Sequence, residues 1–263
     1  MAHTSTQHQS PGLAPPDVAA WTEVRAEATT SCEHLCWYLP TTAGGRPALG
    51  AHAHDGEQLG LLHPTAPVPA SATGYGAPVS HRGHLDVPVT GPAGIWRLRP
   101  DGTDQSWLPA RELPEADLFT WCGSQLGLLY TSTACHPRTL RAYDPSTLAH
   151  LPYWDIDLGP SPLPLTRVRG GVFTPNRRLL LVSGAPGEPS TLSCFDLVQN
   201  PRHHRRPLSA RCSGARPLPE ITGEITGLAI RPVWIGDTYA PLHILSTAGF
   251  PAHSFRVPDP DNL

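Results

Sequence analysis

The chain has 263 residues, a formal net charge of −3 and only 16% charged residues, against 32 prolines and 24 glycines. That density of helix breakers disfavours long helices and favours many short strands joined by turns. The slight acidic balance argues against a general nucleic-acid binder, which needs a net basic face for its phosphate contacts. Length alone allows one large all-β domain or two ordinary ones. No apolar run approaches the roughly 20 residues of a membrane span, and MAHTSTQHQS lacks a basic stretch followed by an apolar core, so no secretory signal is read and a cytoplasmic location is expected.

Residues 1–17 are polar, proline-rich and without periodicity, and are expected to form a disordered leader, with one domain over 18–263. Trp21 to Ala28 alternates apolar and charged residues, which favours an edge strand over a short helix. Three strands follow, Cys32 to Pro40, Ala48 to His54 and Gln58 to His63, then a connection rich in Pro, Ala and Ser at 64–77. A second unit starts with Gly83 to Thr90 and Gly94 to Arg99 and closes on the Pro100-Asp101-Gly102 turn. The clearest unit spans Asp117 to Pro145: Leu118 to Cys122, Gly127 to Ser132 and Leu140 to Tyr143, completed by Trp154 to Leu158. A fourth begins at Arg167, with RGGVFTP as its inner strand, then Arg178 to Ser183 and Thr191 to Leu197, turning at Thr174-Pro175-Asn176. The fifth uses GEITGLAIRP, Leu242 to Thr247 and His253 to Val257, and ends one strand short.

First-strand positions near 34, 84, 120, 170 and 226 are spaced by about 50, 36, 50 and 56 residues. Four short strands per such period mean the blades of an all-β β-propeller, here about five, alternatively six. The missing last strand and the spare N-terminal one predict that Trp21 to Ala28 completes the fifth blade and closes the ring, which would also protect otherwise unpaired edges.

SHRGHLDVPV followed by GIWRL, then FTWCGS, GLLYTS and LRAYDP, RGGVFTP before RLLLVS, and the late EITGLAI together resemble bacterial β-propeller proteins distantly similar to the phytase-like and lactonase-like groups. The resemblance spans residues 80–257 and implies fold more than activity, since propellers host hydrolases, lyases, lectins and scaffolds alike. Where related propellers often carry E-x-E-G before the last inner strand, this chain reads Glu224-Ile225-Thr226-Gly227, with a single acid.

In a propeller the inner strands converge on an axial funnel, which nominates His34, His81, His84, Asp86, Trp121, Arg169 and Glu224 as ligand-binding residues. His81-x-x-His84-x-Asp86 is the most ligand-like set: imidazoles and a carboxylate suit a divalent metal, with His84 and Asp86 on one strand face. The same histidines equally suit hydrogen bonds between strands or direct ligand contact. Glu224 and His84 are the catalytic candidates, since a buried Glu224 would be driven toward a neutral-range pKa. Trp121 suits either stacking at the funnel mouth or interblade core, and Arg169, before the close-approach glycines, suits an anion clamp. His52 and His54 read as surface or interblade residues.

Cys32, Cys36, Cys122, Cys135, Cys194 and Cys212 read as reduced thiols; C-x3-C without a second pair is a poor zinc site. Arg202 to Arg206, RHHRR, reads as a basic loop, solvated or touching an anion. No nucleophile elbow, P-loop or dinucleotide fingerprint is present. The functional expectation is a binding or scaffold module for a small polar ligand or a protein at funnel or rim, with no nucleic acid or membrane partner. The alternative is a hydrolase or lyase at the funnel, with a divalent metal as the one cofactor considered.

Overall fold

The computed structural model describes residues 22–25, 35–43, 46–53, 58–65, 68–72, 74–110, 120–132, 137–174, 177–185, 187–200, 203–219, 225–230, 241–246 and 253–256. Among these the chain is all-β apart from one 3-10 turn, Pro152–Trp154, and no helix is long and apolar enough to cross a membrane. The expected leader at 1–17, and with it His34, His54, Cys32, Cys135 and Glu224, lie outside the described residues.

Strands β1 (Thr22–Arg25), β2 (Leu35–Ala43), β3 (Arg46–Ala53) and β4 (Gln58–Leu62) form one antiparallel sheet in chain order. The second sheet holds β5 (Gly74–Tyr75) and β6 (Val79–His81), both paired with β7 (His84–Thr90), then β8 (Gly94–Leu98) and β9 (Ser106–Pro109). The third set is β10 (Gly123–Gln125), β11 (Leu128–Thr131), β12 (Thr139–Tyr143) and β13 (Ile156–Leu158), and the fourth β14 (Val168–Phe173), β15 (Arg178–Ser183), β16 (Ser190–Asn200) and β17 (His203–Leu218). These two sets fuse into one eight-stranded sheet through a parallel pairing of β13 with β17, Asp157 opposite Ser209 and Leu158 opposite Ala210. Strands β18 (Ile225–Ile230), β19 (Pro241–Ser246) and β20 (His253–Arg256) make the last sheet.

The first strands of the five sets neighbour one another in the cyclic order β1, β6, β10, β14, β18 and back to β1. The result is a propeller-like ring with five inner strands among the described residues. The N-terminal strand stands in that ring beside β18, as expected, but it is not the missing strand of the fifth blade: Thr22 to Arg25 pairs with Leu35 to Tyr38 in the first. Its pairing is local because β2 follows β1 in the chain, and a neighbouring hairpin closes at less entropic cost than a pairing across the chain.

Two further expectations are corrected. Gly83 to Thr90 is the second strand of its blade, because Arg82 (φ 49°) and Gly83 (φ 77°) form a tight hairpin turn that leaves a three-residue inner strand, Val79 to His81, too short to show periodicity. His84 and Asp86 therefore do not sit on an inner strand. Nor is RHHRR a loop: His203 to Arg206 begin the 16-residue β17, the fourth strand that pattern reading missed, while Arg202 lies outside the described residues.

Inner strands are joined at the axis by direct hydrogen bonds. Ala77 forms a parallel bridge with Trp121, its N–H donating to the Thr120 carbonyl (3.1 Å) while the Cys122 N–H donates to the Ala77 carbonyl (3.4 Å). The Thr120 hydroxyl donates to the Val168 carbonyl at 3.0 Å. Between the third and fourth blades lies the main apolar cluster, including Trp121, Tyr130, Leu140, Val168, Leu181 and Phe195. Trp121 is 0% exposed; its indole N–H donates to Ser132 Oγ (3.1 Å) and its carbonyl accepts from the Thr131 hydroxyl (2.7 Å). The ring lies over Gly171, where any Cβ would run into it. Gly171→Ala is therefore expected to cost about 1–3 kcal/mol by overpacking, read as a lower urea midpoint; an unchanged midpoint would show that the indole has room to move.

Candidate functional site

The β6–β7 hairpin brings three of the sequence candidates together. Its register sets His81 opposite His84 and Val79 opposite Asp86, so His81, His84 and Asp86 share one face. The face turns toward the third blade, where His81 Nδ1 lies 2.7 Å from Ser124 Oγ on β10. Next to it, Cys122 Sγ–H points at the Asp86 carbonyl (3.4 Å), and burial pushes that thiol well above its ordinary range.

Asp86 is 0% exposed and is held by a partner that pattern reading overlooked. Arg97, directly across on β8, donates from Nε to Oδ1 at 2.6 Å and from Nη2 to Oδ2 at 2.9 Å. Such a two-point fork fills the carboxylate geometry. A metal at His84 and Asp86 does not fit this donor set: both Asp86 oxygens already serve a guanidinium, and no cluster of three or more His, Cys, Asp or Glu suited to a metal exists among the described residues. His84, at the hairpin tip on that same face, has Nε2 3.2 Å from Asp104 Oδ2 and Nδ1 3.2 Å from the Arg82 carbonyl. The hydrogen bond from His84 holds the Asp104 carboxyl below the usual range. Exposed as it is, that pair adds little stability.

Trp121 does not line a funnel mouth. With no exposed surface and its N–H taken by Ser132, it fills the seam between the third and fourth blades. The close approach read into the Gly170-Gly171 pair is thus an approach of the Trp121 ring. Arg169 is half-buried on β14, two blades from His84. The funnel residues are therefore not one constellation among the described residues: His81, His84 and Asp86 cluster, and Trp121 and Arg169 stand apart. Ser124 and Arg97 are the members that sequence reading missed. Arg97 faces Asp86 because Val89 pairs with Gly94 across the Thr90-Gly91-Pro92-Ala93 turn, a register that composition and spacing alone do not set.

A second feature lies at the rim, where β13 leaves the sheet toward β14. An open cleft of about 440 Å³ is lined by Pro137, Arg138, Leu158, Gly159, Pro160, Ser161, Leu163, Pro164 and Leu165. Its floor is fixed by the Leu158 N–H donating to the Arg138 carbonyl (2.8 Å) and the Gly159 N–H donating to the Ala210 carbonyl (2.7 Å). Prolines at 160, 162 and 164 pin the backbone of its wall. Among the described residues that line it, Arg138 is the only charged one and Ser161 the only hydroxyl; the others are apolar or glycine.

Two outcomes follow from the cluster. Asp86→Ala leaves Arg97, 18% exposed, without its counter-charge, and is expected to cost about 3–5 kcal/mol in urea unfolding, with Asp86→Leu plus Arg97→Met recovering most of it. His81, 6% exposed, is held below the ordinary histidine range by burial, with the Asp86 charge pulling the other way. The unfolded chain therefore takes up this proton first as pH falls, so stability drops from about pH 6.5 down to the folded-state pKa and levels off below it. Melting curves between about pH 7.5 and 4.5 should lose that slope in His81→Gln; a slope equal to the parent's would place the titration elsewhere.

No protein-family model matches the chain, and no curated protein does. Solved structures match it in shape. Glutaminyl cyclase from Myxococcus xanthus superposes with a TM-score of 0.58 at 10% identity, over 93% of this chain and 94% of its own. The bifunctional GH43-CE protein of Bacteroides eggerthii gives 0.54 at 12% identity over 95% of this chain but 34% of its own. The intramolecular trans-sialidase of Ruminococcus gnavus gives 0.53 at 12% identity, over 83% and 52%. The narrower likeness to phytase-like and lactonase-like groups has no sequence family behind it. At such identities the likeness speaks to architecture alone: the chain has a β-propeller fold.

Proposed function

We propose that the protein is a binding module, and that its ligand is a small polar molecule carrying an anionic group, taken up at the rim cleft beside Arg138. The observation that carries this reading is the composition of the cleft: one guanidinium and one hydroxyl set in apolar walls. Such a lining orients a ligand and, among the described residues, supplies no acid–base pair to transform it. A cavity of about 440 Å³ is within the usual range for small-molecule sites, and a wall pinned by proline loses little entropy on binding. The hydrolase or lyase alternative draws no comparable support from the described residues: Asp86 is committed to Arg97, and His84 to Asp104 and the Arg82 carbonyl.

The test is a thermal-shift screen of small carboxylates, sugar acids and phosphates. A ligand at about 100 times its dissociation constant stabilises the fold by about 2.7 kcal/mol, a rise of several degrees. Arg138→Ala should abolish the rise, while Asp104→Ala should leave it intact. A response that survives Arg138→Ala would sink the cleft as the site, and a panel without any response would turn the reading toward a protein partner.

A further inference from the structure

The segment that walls the rim cleft is poor in donors. Pro160, Pro162 and Pro164 have no N–H, and the Leu163 N–H is taken by Ser161 Oγ at 3.3 Å. Its acceptors are open: among the described residues nothing donates a hydrogen bond to the backbone carbonyls of residues 160–165. Each such carbonyl has two lone pairs to offer, so the wall favours an occupant that brings N–H groups of its own.

The opposite side of the cleft supplies charge and apolar surface. The Leu158 N–H on the Arg138 carbonyl sets these two residues side by side, Arg138 just ahead of β12 and Leu158 at the end of β13. Arg138 is exposed, and among the described residues no carboxylate lies within ion-pair distance of it. Asp157, the acid next along β13, lies on the strand face opposite to Leu158 and accepts the Thr139 hydroxyl at 3.2 Å. Leu158 and Leu165 pack against the main core cluster, so the apolar part of the lining is rigidly mounted. An occupant therefore has to combine an anion, an N–H donor and an apolar body. A sugar acid would bury hydroxyls against leucine, and a free amino acid would bring an ammonium to a lining that holds no acid among the described residues.

Resting on the reading of this cleft as a binding site, we propose that its occupant is the C-terminal residue of a peptide ending in an aliphatic side chain. The carboxylate pairs with the Arg138 guanidinium, with the Ser161 hydroxyl as a second donor; the side chain packs among Leu158, Leu163 and Leu165; and the last amide N–H donates to a carbonyl of the wall. In a peptide's last residue all three groups branch from one Cα. A cleft of about 440 Å³ with its charge, its apolar surface and its acceptors close together meets them at once.

The test is calorimetric titration of the full chain with acetyl-alanyl-leucine. The free acid should bind about tenfold tighter than its C-terminal amide. Replacing the last residue of the probe by glycine should cost about tenfold or more, and N-methylation of its last amide about fivefold. Arg138→Gln should erase the preference for acid over amide, and Leu163→Ser should reduce the preference for leucine over glycine, with circular dichroism melts to confirm that both variants fold. Equal affinity for acid and amide, for leucine and glycine, or for the N-methylated probe would overturn the proposal, as would no binding at about 1 mM. Glucuronate or inorganic phosphate bound through Arg138 while the peptide stays silent would overturn the peptide and keep the cleft as an anion site. Peptide binding untouched by Arg138→Gln would remove the cleft itself.

Discussion

The seam around Trp121 is the constraint on which the rest of the structure depends. Its backbone is bridged to Ala77 on one side, and its ring covers Gly171 on the other. One residue thus sets the spacing of three consecutive blades. The spacing is narrow, because inner strands near enough to share hydrogen bonds leave little room between them, as the Thr120 hydroxyl on the Val168 carbonyl shows. A residue without a side chain at 171 is the local requirement of that narrowness. With the second, third and fourth inner strands fastened together at the axis, the accessible chemistry is displaced outward to hairpin tips and blade junctions.

The charged pairs follow the same logic. Asp86 with Arg97 and Arg178 with Asp196 are each cross-strand partners in register on adjacent strands. Cross-strand pairs of opposite charge fix strand register as well as adding energy. The buried pair at Asp86 takes the stronger form, since a guanidinium fork offers two parallel bonds that a shifted strand could not make. These are groups that hold the blades in order, and they explain why the most reactive-looking residues of the second blade are already engaged.

The strand rhythm and the ring were legible in the sequence because both rest on short apolar runs and turn chemistry. Arg178 to Ser183 was read to the residue, and Leu140 to Tyr143 to within one. What escaped was of two kinds. Val79 to His81 is too short to carry a period, so the unit was assigned one strand late and His84 with Asp86 were carried to the axis. In contrast, β17 escaped because its arginines, histidines and prolines resemble a loop in composition; its pairing with β16 over many residues overrides that local preference. The site was less legible than the fold. A cleft made by a proline-rich connection and the end of a parallel strand pair has no motif, because its residues are neighbours only once β13 and β17 have met.

The meeting of β13 and β17 also bears on how the molecule comes apart. Where two outer strands each end in solvent, every blade has a fraying edge and can open on its own. Here the third and fourth blades share a ladder at their outer margins, so neither presents a free edge at that point. The Gly159 N–H, donating to the Ala210 carbonyl, lies between two blades rather than at the border of one. The eight strands from Gly123 to Leu218 thus form one continuous hydrogen-bonded sheet, beside which the smaller sheets stand.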